Sequence, residues 1–177
     1  NMTYAWEFHH MMNEVAQGKK NVSHMLEYLD KNEQEYHPND VRMYFTSNHD
    51  ENSWNGTVWE RMGDAVESMA ALSFTLPGMP LIYNGQEAGL AHRLAFFPKD
   101  SIPWVEHPFN GLYTKLNALK KANSALWNPG FGGEMQVISN DQSEKVLSFL
   151  RIKGDSEVLA IFNFSSEEVS SNLDIKT

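Results

Sequence analysis

Hydrophobic and polar positions follow two different periods along this chain. Phe8, Met11, Met12 and Val15 recur at i, i+3, i+4 and i+7, which predicts an amphipathic helix ending near Gly18. Val22, Met25, Leu26 and Leu29 repeat the pattern behind a cap at Asn21. A polar stretch from Lys31 to Asp40 follows, and Val41–Phe45 then reads as a compact strand. Met2–Tyr4 reads as the end of another. Thr57 stands three residues before Glu60, a capping-box spacing, and opens a helix with Met62, Val66, Met69 and Leu76 on one side. Pro77-Gly78 ends it, and Pro80–Tyr83 is the next short apolar run. Residues 91–109 show no period and hold three prolines, which predicts a long loop. Such a loop inside a compact domain is usually functional or covers a site. Asn110 is expected to cap a helix with Leu112, Leu116, Leu119 and Leu126 inward, stopped by Asn128-Pro129-Gly130.

From Phe131 the texture changes. Runs at 135–138, 146–152, 158–164 and 169–173 are short and β-rich, with turn clusters between them. They predict a small antiparallel sheet. The expected units are therefore 1–130 and 131–177, an α/β part followed by an antiparallel β part. Strand–helix alternation before the boundary argues for parallel βαβ units. Polar residues collect directly after two strands, at Thr46–Asn52 and Asn84–Glu87. In parallel α/β architectures the C-terminal strand ends are where chemistry sits.

Charge narrows the partners. The 177 residues hold 14 Lys+Arg against 23 Asp+Glu, a net charge of −9. An acidic surface repels phosphate backbones, so no nucleic acid is expected as a partner. No apolar run approaches the roughly 18 residues of a membrane span. Cysteine is absent, which excludes disulfides, zinc-thiolate sites and thiol nucleophiles. Asn1 is not a start methionine and no leader pattern follows it, so the chain is expected to be a piece of a longer protein.

The densest polar cluster is Thr46-Ser47-Asn48-His49-Asp50-Glu51-Asn52. On composition it reads equally well as a solvated loop. Three features favour chemistry: the strand before it is buried in character, His49 and Asp50 are adjacent, and Trp54 and Trp59 follow. Aromatic faces beside carboxylates suit sugars. Elsewhere His10 and Glu14 share a helix face at i, i+4, but two ligands make no metal site, and His9, His10 and Glu14 are expected to face solvent or an upstream contact. Trp104 and Trp127 are assigned to a core or domain interface, the Met-rich helix faces to core filling, and Glu87 to a structural role.

Phe45-Thr46-Ser47-Asn48-His49-Asp50 resembles the F-V-x-N-H-D segment of the α-amylase family, glycoside hydrolase family 13. Gly78-Met79-Pro80-Leu81-Ile82-Tyr83-Asn84-Gly85-Gln86-Glu87 is similar to that family's eighth-strand segment, in the family's order and separation. Lys99–Trp104 is similar, more weakly, to a stretch in the following loop. The resemblance implies the C-terminal part, about strands 6 to 8, of a TIM (β/α)8 barrel followed by a small antiparallel β-sandwich domain. It implies that Asp50 is the carboxylate that stabilises the transition state, and that His49 and Asn48 are substrate-binding. Glycoside cleavage passes through an oxocarbenium-like transition state, and a retaining enzyme also needs a nucleophilic carboxylate and a carboxylic acid. In the family both precede the seventh strand, and no acidic residue before Val41 here stands in such a context.

The resemblance therefore implies part of an α-glucan-acting retaining glycoside hydrolase whose nucleophile and general acid lie in a missing N-terminal barrel half. The partner is an α-glucan oligosaccharide or polysaccharide. No cofactor and no metal is expected within this piece; calcium, where the family binds it, is held by residues that come earlier. An exported protein is expected rather than a cytoplasmic one. Two alternatives stay open: a non-catalytic carbohydrate-binding or interaction module derived from the same fold, and an unrelated α/β binding domain with His49 and Asp50 on a solvated loop far from the Pro80 strand.

Overall fold

A computed structural model describes residues 1–175. Two three-stranded sheets organise them. The first is parallel, with β1 (Met2–Tyr4), β2 (Val41–Phe45) and β3 (Met79–Leu81) side by side in chain order. Met2 pairs with Val41 and Phe45 with Leu81. Between β1 and β2 run α1 (Trp6–Ala16) and α2 (Val22–Glu35); between β2 and β3 run α3 (Val58–Met62) and α4 (Val66–Thr75). Parallel neighbours in chain order, joined through helices, are how a (β/α) barrel grows. A closed barrel takes eight strands and about 250 residues, so this sheet keeps two open edges.

The second sheet is antiparallel, with β4 (Glu134–Val137), β5 (Val146–Lys153) and β6 (Ser156–Asn163) in that order. Lys153 pairs with Ser156 across a Gly154-Asp155 turn, and Gly154 takes φ +56°, a conformation that suits glycine in a tight hairpin. One hydrophobic cluster joins both sheets. It runs from Phe8, Met12 and Met25 through Tyr44, Met69, Leu72 and Leu76 to Leu147, Phe149 and Ala160. Met11, Met12, Met62 and Met69 lie in this core, as their spacing predicts.

Several local expectations need correction. α2 runs to Glu35, one turn into the stretch read as polar linker. The helix opened by Thr57 is broken at Gly63, whose φ of +52° cannot continue it, and restarts at Val66 after a 3-10 turn. The cap of α5 (Pro108–Ala122) is His107, not Asn110: His107 Nδ1 accepts from Phe109 N at 3.2 Å, and Pro108 fills the first helical position. Leu119 is exposed, and Leu126 is buried in a separate 3-10 turn. The run at 169–173 is no strand. It holds one bridge, Asn140 to Leu173, and is tied down by Asp141, which accepts from Asn172 N and Ser171 Oγ. The last two positions of the expected 131–177 unit lie outside the described residues.

Candidate active site

β2 delivers the polar cluster. Tyr44 and Phe45 are buried, and so are Thr46, Ser47 and Asn48 as the chain leaves the sheet. The backbone then coils instead of looping: His49 and Asp50 begin a helical turn that widens to π geometry over Glu51–Asn55. π turns inside helical segments are rare and favour functional places. Asn48 Oδ1 accepts from Glu51 N at 2.9 Å and so holds the start of the turn. The Asn48 Nδ2 is buried with no acceptor among the described residues.

His49 and Asp50 face outward. Their side chains are 59% and 45% exposed, and His49 Nε2 stands 3.6 Å from Asp50 Oδ2. His49 lines a cleft of about 320 Å³ together with Tyr83 and Asn84, which follow β3. The two strand ends thus meet in one place, contrary to the solvated-loop alternative. They are also tied underneath, where buried Gln86 donates to Thr46 Oγ1 at 2.8 Å and accepts from Tyr83 N at 2.7 Å. Glu87, as expected, has a structural role: its Oε2 accepts from Gly85 N at 3.1 Å.

Beneath the turn lies a buried network that sequence reasoning missed. His9 is fully buried, not solvent-facing as expected. Its Nδ1 lies 3.0 Å from the Phe45 carbonyl, and its Nε2 lies 2.9 Å from Glu51 Oε2. A carbonyl only accepts, so Nδ1 donates. Arg61 approaches from α3. Its Nη1 donates to Asn13 Oδ1 at 2.8 Å, its Nη2 to the Thr46 carbonyl at 2.9 Å and Ser47 Oγ at 3.2 Å, and its Nε to the Gly56 carbonyl at 3.0 Å. Glu51 Oε2 sits 3.8 Å from Nη1. Burial pushes the Glu51 carboxyl up, but its bond to His9, with help from Asn55 and Arg61, overrides that and brings it down to about 2. Burial also lowers Arg61, against the pull of Glu51.

His9, His10 and Glu51 bring three ligand atoms within 4.8 Å of one another, the one such group among the described residues. It does not suit calcium, which takes six to eight oxygens. Both His9 nitrogens are already engaged, and Arg61 brings a positive charge beside the Glu51 oxygen. The expected His10–Glu14 face is not a ligand pair either, because Lys20 Nζ takes the Glu14 carboxylate at 2.9 Å.

The long segment after β3 closes over this region. Asn52 Oδ1 accepts from Leu94 N at 2.8 Å, and Asn52 Nδ2 donates to the His92 carbonyl at 3.2 Å. Trp54 is exposed and Trp59 packs on Phe109. Trp104 and Trp127 are 59% and 45% exposed, so of the core and domain-interface places expected for them the core is excluded.

Parallel strands in chain order, with a His-Asp pair at the end of one and a polar segment at the end of the next, define a class. The alpha amylase, catalytic domain, matches residues 1–147, and the chain belongs to that family. Its three parallel strands are part of that family's barrel. Among individual relatives, the 1,4-alpha-glucan branching enzyme GlgB of Mycobacterium sp. (strain KMS) is 33% identical over 132 residues, covering 65% of this chain and 17% of the relative. The noncanonic maltogenic alpha-amylase AmyB from Thermotoga neapolitana superposes with a TM-score of 0.84 at 27% identity, covering 98% of this chain and 40% of that one. The cyclic alpha-maltosyl-(1→6)-maltose hydrolase from Arthrobacter globiformis, solved in complex with maltose, superposes with a TM-score of 0.68 at 17% identity, over 97% of this chain and 42% of its own, a likeness of fold alone. The chain therefore spans well under half the length of the proteins it matches.

Proposed function

We propose that this chain is the part of an α-glucan-acting retaining glycoside hydrolase that grips the sugar ring at the point of cleavage. The observation that carries the reading is the placement of His49 and Asp50, side by side and exposed at the C-terminal end of β2, with His49 lining a cleft shared with the end of β3. In this reading β1, β2 and β3 are strands six to eight of the barrel, and β4–β6 begin the β-sandwich that follows. Asp50 accepts hydrogen bonds from ring hydroxyls, and these strengthen as the ring flattens toward the oxocarbenium geometry. His49 contacts a hydroxyl beside it. Asn48 completes the set, with Oδ1 holding the turn and Nδ2 free of any protein acceptor among the described residues. The nucleophile and the general acid come from segments before residue 1. The chemistry needs no cofactor from this piece, and an exported protein suits a polymeric substrate.

The test is Asp50→Asn in the full-length protein, assayed on maltooligosaccharides. Groups that stabilise transition-state charge are worth a few kcal/mol, so kcat should fall at least about a hundredfold while the thermal melt is unchanged. Undiminished turnover would sink the assignment. Product analysis on the same substrates separates hydrolysis from the glucan transfer that the branching-enzyme relatives suggest.

A further inference from the structure

Asp50 is aimed by its backbone. Its one ion-pair neighbour among the described residues is His49, 3.6 Å away and itself exposed. Where the carboxylate stands is therefore decided by residues 46–56, which leave β2, coil with π geometry over Glu51–Asn55 and end at Gly56. One side chain touches this stretch at its start, its middle and its end. The buried Arg61 guanidinium, on α3, donates from Nη2 to the Thr46 carbonyl at 2.9 Å and to Ser47 Oγ at 3.2 Å. Its Nε donates to the Gly56 carbonyl at 3.0 Å, and its Nη1 stands 3.8 Å from Glu51 Oε2. A further bond, Nη1 to Asn13 Oδ1 at 2.8 Å, fixes the group to α1.

The exit of the turn is shaped for this contact. Gly56 takes φ +116°, which a residue with a side chain rarely adopts. A Cβ there would also come within 3.1 Å of Glu60 Oε2 and 3.2 Å of Arg93 Nη2. With that backbone, the Gly56 carbonyl meets the same guanidinium that holds Thr46. Neutralising Glu51 would need only a positive charge. Gripping both ends at once needs donors fixed in a planar fork, whereas a lysine ammonium carries its charge on a single nitrogen.

We propose that Arg61 is a positioning residue: clasping the turn at Thr46–Ser47, at Glu51 and at Gly56, it holds the backbone that aims Asp50 without touching the sugar itself. The inference rests on the reading of Asp50 as the carboxylate that stabilises the transition state. It is tested in the full-length protein on maltooligosaccharides, with Arg61→Lys alone and combined with Asp50→Asn. Arg151→Lys, at the buried arginine of β5, is the control for lost stability. A misplacement of about 1 Å costs on the order of a hundredfold in rate. Arg61→Lys should therefore lower kcat about ten- to a hundredfold and leave KM within about twofold. In the Asp50→Asn background the same change should cost nothing further, because residues that act as one unit are not additive. Ser47→Ala removes one acceptor of the clasp and should show the same pattern on a scale of about threefold. It reads the clasp if Arg61→Lys does not fold. A wild-type kcat, an equal fold-loss with and without Asp50, or the same loss in Arg151→Lys overturns the proposal. Hydrogen exchange keeps the two readings apart. A full-rate Asp50→Asn, beside faster exchange at 48–56 in Arg61→Lys than in Arg151→Lys, would reject the catalytic assignment and keep the clasp. A slow Asp50→Asn, beside unchanged exchange and unchanged kcat in Arg61→Lys, would do the reverse.

Discussion

Arg61 and Arg151 are both buried, one under the functional turn and the other where the two sheets meet, and their surroundings differ in kind. Arg61 shares its pocket with a carboxylate and an imidazole, Glu51 and His9. Arg151, fully buried, is met only by carbonyls: it donates to Thr75 at 2.7 Å, Gly133 at 2.9 Å and Trp127 at 3.3 Å. Without a counter-charge, burial pushes Arg151 down to about 10. Three backbone segments need one donor fork there, so that guanidinium works as a joint between sheets. The Arg61 cluster also ties segments together, but it does so with groups that titrate. The site is therefore held by charge and the inter-sheet joint by backbone dipoles.

Substitution should separate the two. Arg61→Met leaves Glu51 buried with His9 and Asn55 but without the guanidinium, and breaking one partner of a buried pair costs about 3–5 kcal/mol. Arg151→Met leaves carbonyls unpaired but also removes a costly charge, so we expect a smaller loss of roughly 1–3 kcal/mol. Urea unfolding of both variants checks the order, and a reversed order would break the comparison. Adding Glu51→Gln to Arg61→Met should recover part of the loss, because coupled neighbours are not additive.

Acid sharpens the contrast further. Glu51 is held at about 2 when folded against an ordinary 4.5, so between these values the unfolded chain binds more protons. Its contribution is complete above 4.5 and is lost as pH falls toward 2. Wild type should lose stability over that window more steeply than Glu51→Gln. Parallel melting curves from pH 5 to the lowest pH that keeps the protein soluble would show it, and identical slopes would count against the network. The smallest effect is expected at Thr57→Ala, which removes the Oγ1 acceptor of Glu60 N at 3.2 Å at the start of α3. A lost cap costs about 1 kcal/mol, and because α3 carries Arg61, the variant should disturb the site more than the sheet joint.

What could be read from the sequence was mostly local. The Thr57–Glu60 box, the α1 stripe and the β2 run each lie within a few residues, and each forms as its pattern predicts. The break at Gly63 was also local, but a glycine inside a helical pattern looks tolerable until its φ is known. The start of α5 was missed because histidine is an uncommon cap, although Pro108 was the better signal. His9 and Arg61 stand 52 positions apart and belong to different helices, so no spacing rule joins them. The i, i+4 pair His9–Asn13, in which Asn13 Nδ2 donates to the His9 carbonyl at 2.9 Å, was the one trace of the network within reach of the sequence. The face chosen from sequence, His10 with Glu14, is its neighbour on the same helix.

Asp50 and Glu51 are consecutive acids with opposite destinations, one exposed beside His49 and the other beneath the turn against His9. About 100° of rotation separates neighbouring side chains in an α turn, somewhat less in the wider π turn that begins at Glu51, and that rotation sorts them. The turn is consequently a combination lock on residue count. Deleting one residue between Asn48 and Asp50 would turn Glu51 outward, and inserting one there would turn Asp50 toward the imidazole. Exchanging the identity of Ser53 or Trp54 leaves the count untouched. The start of this segment is thus fixed in length as well as in the identities of Asp50 and Glu51.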